Sequence, residues 1–150
     1  MKGEFSKGEL YSFITGMAST ALARRLQKNF KDQKLEITVE QWSVLYHLWK
    51  EDGLSQQDLC NHSFRDKPSI TRLVDNLEKL KLVNRTSSKD DKRINKIFLT
   101  SKGKKLQEKT MEMANQTLNE ALEGVAAKDI ELCKNVLYKV FENLKTIAAK

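Results

Sequence analysis

Asp66-Lys67-Pro68-Ser69-Ile70-Thr71-Arg72-Leu73-Val74-Asp75-Asn76-Leu77-Glu78-Lys79-Leu80 is the stretch that decides the fold. Ile70, Leu73, Val74, Leu77 and Leu80 recur at the spacing of one helical face, while Ser69, Thr71, Arg72, Asp75, Asn76 and Lys79 occupy the other. Pro68 falls in the first turn, where its fixed φ and missing N–H suit a helix start. The spacing therefore predicts an amphipathic helix over Pro68–Leu80. Just upstream, Ser55 with Asp58 forms a capping box that opens a shorter helix, with Leu59 and Cys60 turned inward and Phe64 near its end. A short capped helix, a tight connection and a stronger amphipathic helix make a helix-turn-helix. In that motif the second helix enters the major groove and its N-terminal residues touch base edges.

Downstream of Leu82 the period changes. Val83-Asn84-Arg85-Thr86 and Ile94-Asn95-Lys96-Ile97-Phe98-Leu99 are rich in β-branched and aromatic residues, and the polar run Ser87–Arg93 lies between them. That pattern reads as a hairpin with a charged tip, placed as a wing beside the reading helix. The charge distribution agrees. Between Lys81 and Lys105 stand nine basic and two acidic residues, a net +7 that equals the formal charge of all 150 residues. A basic excess on one hairpin is an electrostatic footprint for phosphate.

Working outward again, Thr38 with Gln41 caps a helix that is apolar almost all round (Trp42, Val44, Leu45, Tyr46, Leu48, Trp49) and should lie at the centre of the fold, ending at Asp52-Gly53. A helix-compatible stretch from Gly8 to about Lys31 precedes it. Thr100 caps a long helix to about Leu122, Gly124 breaks it, and a last helix from about Lys128 carries Ile130, Cys133, Leu137, Val140, Leu144 and Ile147 at heptad steps. The predicted order is α-α-α-α-β-β-α-α, all-α in class, or α+β by strict count. That last stripe is too long and apolar to leave in water, and Leu10, Phe13 and Met17 lack a partner within the central region. Both features point to an obligate dimer.

Four motifs in order carry a family resemblance: Leu73-Val74-Asp75-Asn76-Leu77-Glu78, Leu82-Val83-Asn84-Arg85, Asp91-Lys92-Arg93 and Leu99-Thr100-Ser101-Lys102-Gly103. Together they resemble the MarR (multiple antibiotic resistance regulator) family of winged-helix transcription factors over essentially the whole chain. The resemblance implies a winged-helix DNA-binding region at 37–100 and dimerisation helices in 1–36 and 101–150. It implies a homodimer on a pseudo-palindromic operator of double-stranded DNA, with Arg93 at the wing tip probing the minor groove and Asp91 orienting it. It also supplies the expectation of a repressor released by a small-molecule effector, with a small aromatic ligand as the class to test. At one position the chain departs from the family: Lys81 stands where Gly is usual, and Lys tolerates a left-handed backbone poorly.

Individual roles follow from side-chain chemistry. Arg72 can pair bidentately with guanine or clamp a phosphate. Ser69 and Thr71 can bond a phosphate or base edge, or can serve to cap the helix start. Asn76 can read adenine unless it lies too far down the helix. Gln56 and Gln57 open the shorter helix, where free N–H groups welcome phosphate; solvated surface is the alternative. Lys92 and Arg93 complete the DNA-binding set. Large apolar groups at Phe30, Trp42, Trp49 and Met113 mark either a cleft or plain core.

Other classes fit less well. His47 and His62 sit in no metal-spaced pair, and no phosphate loop, nucleophile elbow or zinc-protease motif occurs, so neither catalysis nor a cofactor is expected. Cys60 and Cys133 are too few for a disulfide scaffold and suit a reducing cytosol. No run approaches a membrane span. Tyr11–Ala23 only faintly resembles a secretory leader, with Glu4 and Glu9 before it and Arg24-Arg25 after, so a cytoplasmic protein is expected. The rival from another class is a winged-helix protein-interaction module whose basic wing docks an acidic protein rather than DNA.

Overall fold

Thr38, Ser55 and Asp66 each begin a helix by accepting the backbone N–H three residues on, from Gln41 (3.1 Å), Asp58 (3.0 Å) and Ser69 (2.8 Å). At Thr38 and Ser55 the box is closed, because the Gln41 and Asp58 side chains accept the cap's own N–H at 3.0 and 2.9 Å. In this computed structural model, which describes residue 12 and residues 16–148 with side chains to residue 145, those caps open α2 (Val39–Lys50), α3 (Gln56–Ser63) and α4 (Lys67–Lys79). Ahead of them lies α1 (Met17–Asp32), and after them come α5 (Ser101–Ala121) and α6 (Ala127–Ala148).

Helix ends share one device. After α1, Leu35 donates to Phe30 O and Lys34 to Lys31 O; after α4, Leu82 donates to Leu77 O and Lys81 to Glu78 O. These are Schellman pairs, which need a left-handed residue at the turn. Lys34 and Lys81 supply it with φ of 56° and 59°, and Phe64 after α3 does so with 53°. Lys81 thus takes the left-handed conformation that Gly would adopt more readily.

The sheet is where the structure adds to the sequence reading. Strands β2 (Val83–Ser87) and β3 (Asn95–Leu99) form the expected hairpin, pairing Val83 with Leu99, Arg85 with Ile97 and Ser87 with Asn95. A third strand, β1 (Leu54–Ser55), pairs antiparallel with β3 through Leu54–Ile97 and Ser55–Lys96, giving the order β1-β3-β2. The observed order among the described residues is therefore α-α-β-α-α-β-β-α-α, and the two-strand expectation is corrected. Two residues before a helix cap carry no readable alternation, so only the long-range pairing reveals β1. Gly53 makes that approach possible: φ is 77°, and a Cβ there would meet the Phe98 ring at 2.7 Å.

Two compact units divide the chain: Ala23–Gln116, and Met1–Leu22 with Thr117–Lys150. The first contains the winged helix. Its core takes Ile70, Leu73, Val74 and Leu77 from α4, Val44, Leu45 and Leu48 from α2, Leu59 from α3, Val83 and Ile97 from the sheet, and Phe30 and Met113 from α1 and α5. Each such side chain contributes about 1.5–3 kcal/mol by leaving water. Trp42 and Trp49 pack against this core, so the four large apolar groups belong to it. Trp49 is also pinned, its indole N–H donating to Gly103 O at 3.0 Å. Trp42 differs: its buried N–H has no acceptor among the described residues.

In the second unit, α6 leaves an apolar face open. Leu132 (62% exposed), Val136, Leu137, Tyr138 and Leu144 are all exposed, and so is Cys133. Leu10, Phe13 and the Ile147 side chain lie outside the described residues.

Candidate nucleic-acid interface

The reading helix is held from behind by its apolar stripe and capped in front by Asp66, so its polar face is left for other work. The N–H of Ser69 lowers the Asp66 carboxyl below its ordinary pKa, which keeps the cap charged. With Asp66 in that role, Ser69 and Thr71 are not the caps. Arg72 is exposed and makes no hydrogen bond or ion pair among the described residues, while Ser69, Thr71 and Asn76 are half-buried along the same helix.

At its N-terminal end the helix opens onto a groove of ≈ 290 Å³ lined by Ser55, Gln56, Gln57, Lys67, Arg93, Ile94 and Asn95. The structure thus brings Gln56 and Gln57 of α3 together with Arg93 of the wing. It adds Lys67 and Asn95, which sequence reasoning passed over. Lys67 precedes the Pro and falls outside the predicted helix, whereas α4 begins with it. Gln57 donates to Asn61 Oδ1 at 3.0 Å. At the wing tip the Asp91 carboxylate accepts the Arg93 backbone N–H at 2.9 Å, so Asp91 shapes the turn that carries Arg93. Lys92 and Arg93 are both exposed.

Arg85 behaves differently from the other basic residues of the segment. Its side chain is only 20% exposed and forms ion pairs of 2.6 Å with Asp75 and with Glu78. Its Nε–H donates to Gln56 Oε1 (3.3 Å), and another guanidinium N–H donates to Thr71 O (3.3 Å). Arg85 therefore ties the wing to both helices of the helix-turn-helix and is not a free phosphate ligand. Lys102 is also engaged, donating to Leu80 O at 3.0 Å. Among the described residues, exposed positive charge includes Arg65, Lys67, Arg72 and Lys79 around the reading helix and Lys89, Lys92, Arg93 and Lys96 on the wing.

Elsewhere the chemistry is muted. His47 and His62 lie with ring centroids 5.7 Å apart. Burial, followed by the His62 and Lys50 charges, lowers the His47 pKa below its ordinary value. No group of three or more His, Cys, Asp or Glu among the described residues could hold a metal ion. Burial pushes the Cys60 thiol up, away from the reactive thiolate. Among the described residues no helix is long and apolar enough to cross a membrane.

Comparison with known proteins adds the lineage. Residues 37–94 match the MarR family. A Bacillus subtilis (strain 168) organic hydroperoxide resistance transcriptional regulator is 29% identical over 126 residues, covering 83% of this chain and 84% of that one. A MarR transcriptional regulator from Methanosarcina mazei Go1 superposes with a TM-score of 0.77 at 25% identity, covering 93% and 96% of the two chains. MepR of S. aureus, solved as a DNA complex, superposes with a TM-score of 0.79 at 27% identity over 93% of this chain and 99% of its own. A winged helix built on α3, α4 and the β2–β3 wing agrees with each of these likenesses: residues 37–94 form a MarR-type domain, and the chain is similar to MarR-type transcriptional regulators over most of its length.

Proposed function

We propose that the chain is a transcriptional regulator that binds a pseudo-palindromic site in double-stranded DNA as a homodimer, acts as a repressor inside the cell, and is released by a small-molecule effector. One observation carries the DNA reading. The α4 N-terminus at Lys67, the α3 N-terminus at Gln56 and Gln57, and Arg93 of the wing border one groove, and the wing lies in the segment that holds the basic excess of the chain. Arg72, Ser69, Thr71 and Asn76 would meet the major groove, Gln56, Gln57 and Lys92 the backbone, and Arg93 the minor groove. The winged-helix region would serve reading and the chain ends dimerisation, the exposed apolar face of α6 giving the second copy its surface. A dimer neutralising about 6–10 phosphates should lose ~10³–10⁵-fold in affinity between 50 and 200 mM salt. A flat salt response would refute DNA binding and favour an acidic protein as the partner. The effector clause has its own test: titrating small aromatic acids while following the fluorescence of Trp42 and Trp49, with no response across a broad panel removing that clause alone.

A further inference from the structure

A hydrogen-bond chain of fixed polarity runs from the wing to the reading helix. Arg85 Nε–H donates to Gln56 Oε1 at 3.3 Å, and Gln56 Nε2–H donates to Thr71 Oγ1 at 2.9 Å. A guanidinium carries donors only and accepts nothing. Whatever faces it must be an acceptor, so the Gln56 amide has one permitted orientation, oxygen toward Arg85 and nitrogen toward Thr71. The Thr71 oxygen then accepts from Gln56 with one of its two lone pairs, and its own O–H has no acceptor among the described residues. The guanidinium itself cannot turn away, because Asp75 and Glu78 hold its other two nitrogens at 2.6 Å. Glu78 also accepts the Arg85 backbone N–H at 3.2 Å, which fastens the strand as well as the side chain.

The consequence is a reading surface of defined sign. Thr71 is half-buried on α4 next to exposed Arg72, and Gln56 lines the groove shared with Lys67, Arg93 and Asn95. A threonine hydroxyl can ordinarily serve as donor or acceptor, so alone it discriminates poorly. Here the oxygen already accepts one bond while its O–H is unpaired, so an outside acceptor completes the hydroxyl whereas an outside donor would leave that O–H unpaired, and a second N–H of the Gln56 amide stands beside it. We propose that Arg85 is a positioning residue for recognition: acting through Gln56, it disposes the Thr71 hydroxyl to donate, so that this part of the interface selects acceptor atoms on DNA, either phosphate oxygens or base-edge acceptors such as N7 and O6 of guanine. Amino groups of adenine and cytosine are disfavoured at Thr71, because pairing with them would leave its O–H unsatisfied. The inference rests on the DNA-binding reading above.

The test begins by selecting bound duplexes from a random pool with the full-length protein. Recovery of no bound DNA overturns the DNA reading itself, and this inference with it. On the selected duplex and on random duplex, the affinities of Arg85→Lys, Thr71→Val and the double variant are then measured, with melting temperatures alongside. Lys keeps the charge opposite Asp75 and Glu78 but cannot also serve Gln56. Thr71→Val keeps the shape and removes the donor. Each single change should weaken binding about 10- to 100-fold, and in the Thr71→Val background Arg85→Lys should cost almost nothing more. Equal losses from Arg85→Lys in both backgrounds would mark a purely structural role and overturn the proposal, as would wild-type binding by Thr71→Val. A Thr71→Val penalty on both duplexes identifies a phosphate acceptor, whereas a penalty on the selected duplex alone identifies a base-edge acceptor. Should Arg85→Lys fail to fold, Gln56→Met takes its place in the same cycle, with the same outcomes.

Discussion

Replacing Lys81 by Gly should make this protein more stable, which few substitutions to Gly do. Lys81 closes α4 with φ at 59°, its N–H donating to Glu78 O at 2.9 Å and its carbonyl accepting the Thr100 hydroxyl at 2.7 Å. All of these bonds belong to the backbone and survive the change, and the exposed side chain forms no ion pair among the described residues. A side chain with a Cβ incurs roughly 1–2 kcal/mol in the left-handed region. Gly escapes that strain but frees the unfolded chain, which costs about 0.4–1 kcal/mol. The difference leaves about 0.5–1 kcal/mol in favour of Lys81→Gly, or a rise of roughly 1–4 °C in melting temperature for a chain of this length. Urea denaturation at fixed protein concentration measures it, and concentration must be fixed because association contributes to the stability of a dimer. Lys81→Ala is the control: it removes the charge but keeps the Cβ, so it should stay within about 0.5 kcal/mol of wild type. Should Lys81→Gly prove no more stable than Lys81→Ala, the strain argument fails.

Gly103 tests the opposite case. A Cβ there would collide with the Leu82 carbonyl, so Gly103→Ala should destabilise by about 1–3 kcal/mol in the same assay, and a neutral result would show that α5 can back away. His47 makes stability depend on pH. Its folded pKa lies below the ordinary 6.5, so its contribution is complete above about pH 6.5 and is lost as pH falls below it. Carboxylates such as Asp58 and Asp66, whose pKa values lie below 3.8, do not titrate in that window. Denaturation midpoints should therefore drop between pH 7.5 and 5.5 for wild type and drop less for His47→Gln. Reading and gripping separate at two arginines. Arg72→Ala should cost about 1–3 kcal/mol per half-site and relax preference at one operator position. Arg93→Ala should weaken many sequences alike and lower the salt slope by about one unit for each phosphate it no longer neutralises. Wild-type binding by both folded variants would mean that helix and wing are misassigned. Leu137→Glu places a charge in the open face of α6 and should shift the protein toward monomer in sedimentation equilibrium, an unchanged dimer locating the interface elsewhere.

Much of this architecture is a local matter, and local matters are written in sequence. Thr38, Ser55 and Pro68 announce their helices because a cap or a fixed φ acts within four residues, and the stripe Ile70, Leu73, Val74, Leu77 names the buried face because a helix repeats every 3.6 residues. The hairpin and its charged tip follow for the same reason, as does the resemblance to the MarR family, whose motifs are short and contiguous. What the sequence could not decide is which polar groups meet. Arg85 counts as one more wing cation until folding sets it against Asp75 and Glu78, ten and seven residues away, and against Gln56, twenty-nine residues away. Strand β1 exists only because β3 arrives beside Leu54, and Trp49 finds its acceptor at Gly103, fifty-four residues on. Composition and period fix how each segment prefers to bend and which side it hides from water. Only the packed chain fixes the partners of its charges and hydrogen bonds, because those interactions depend on distances in space that no spacing in sequence encodes.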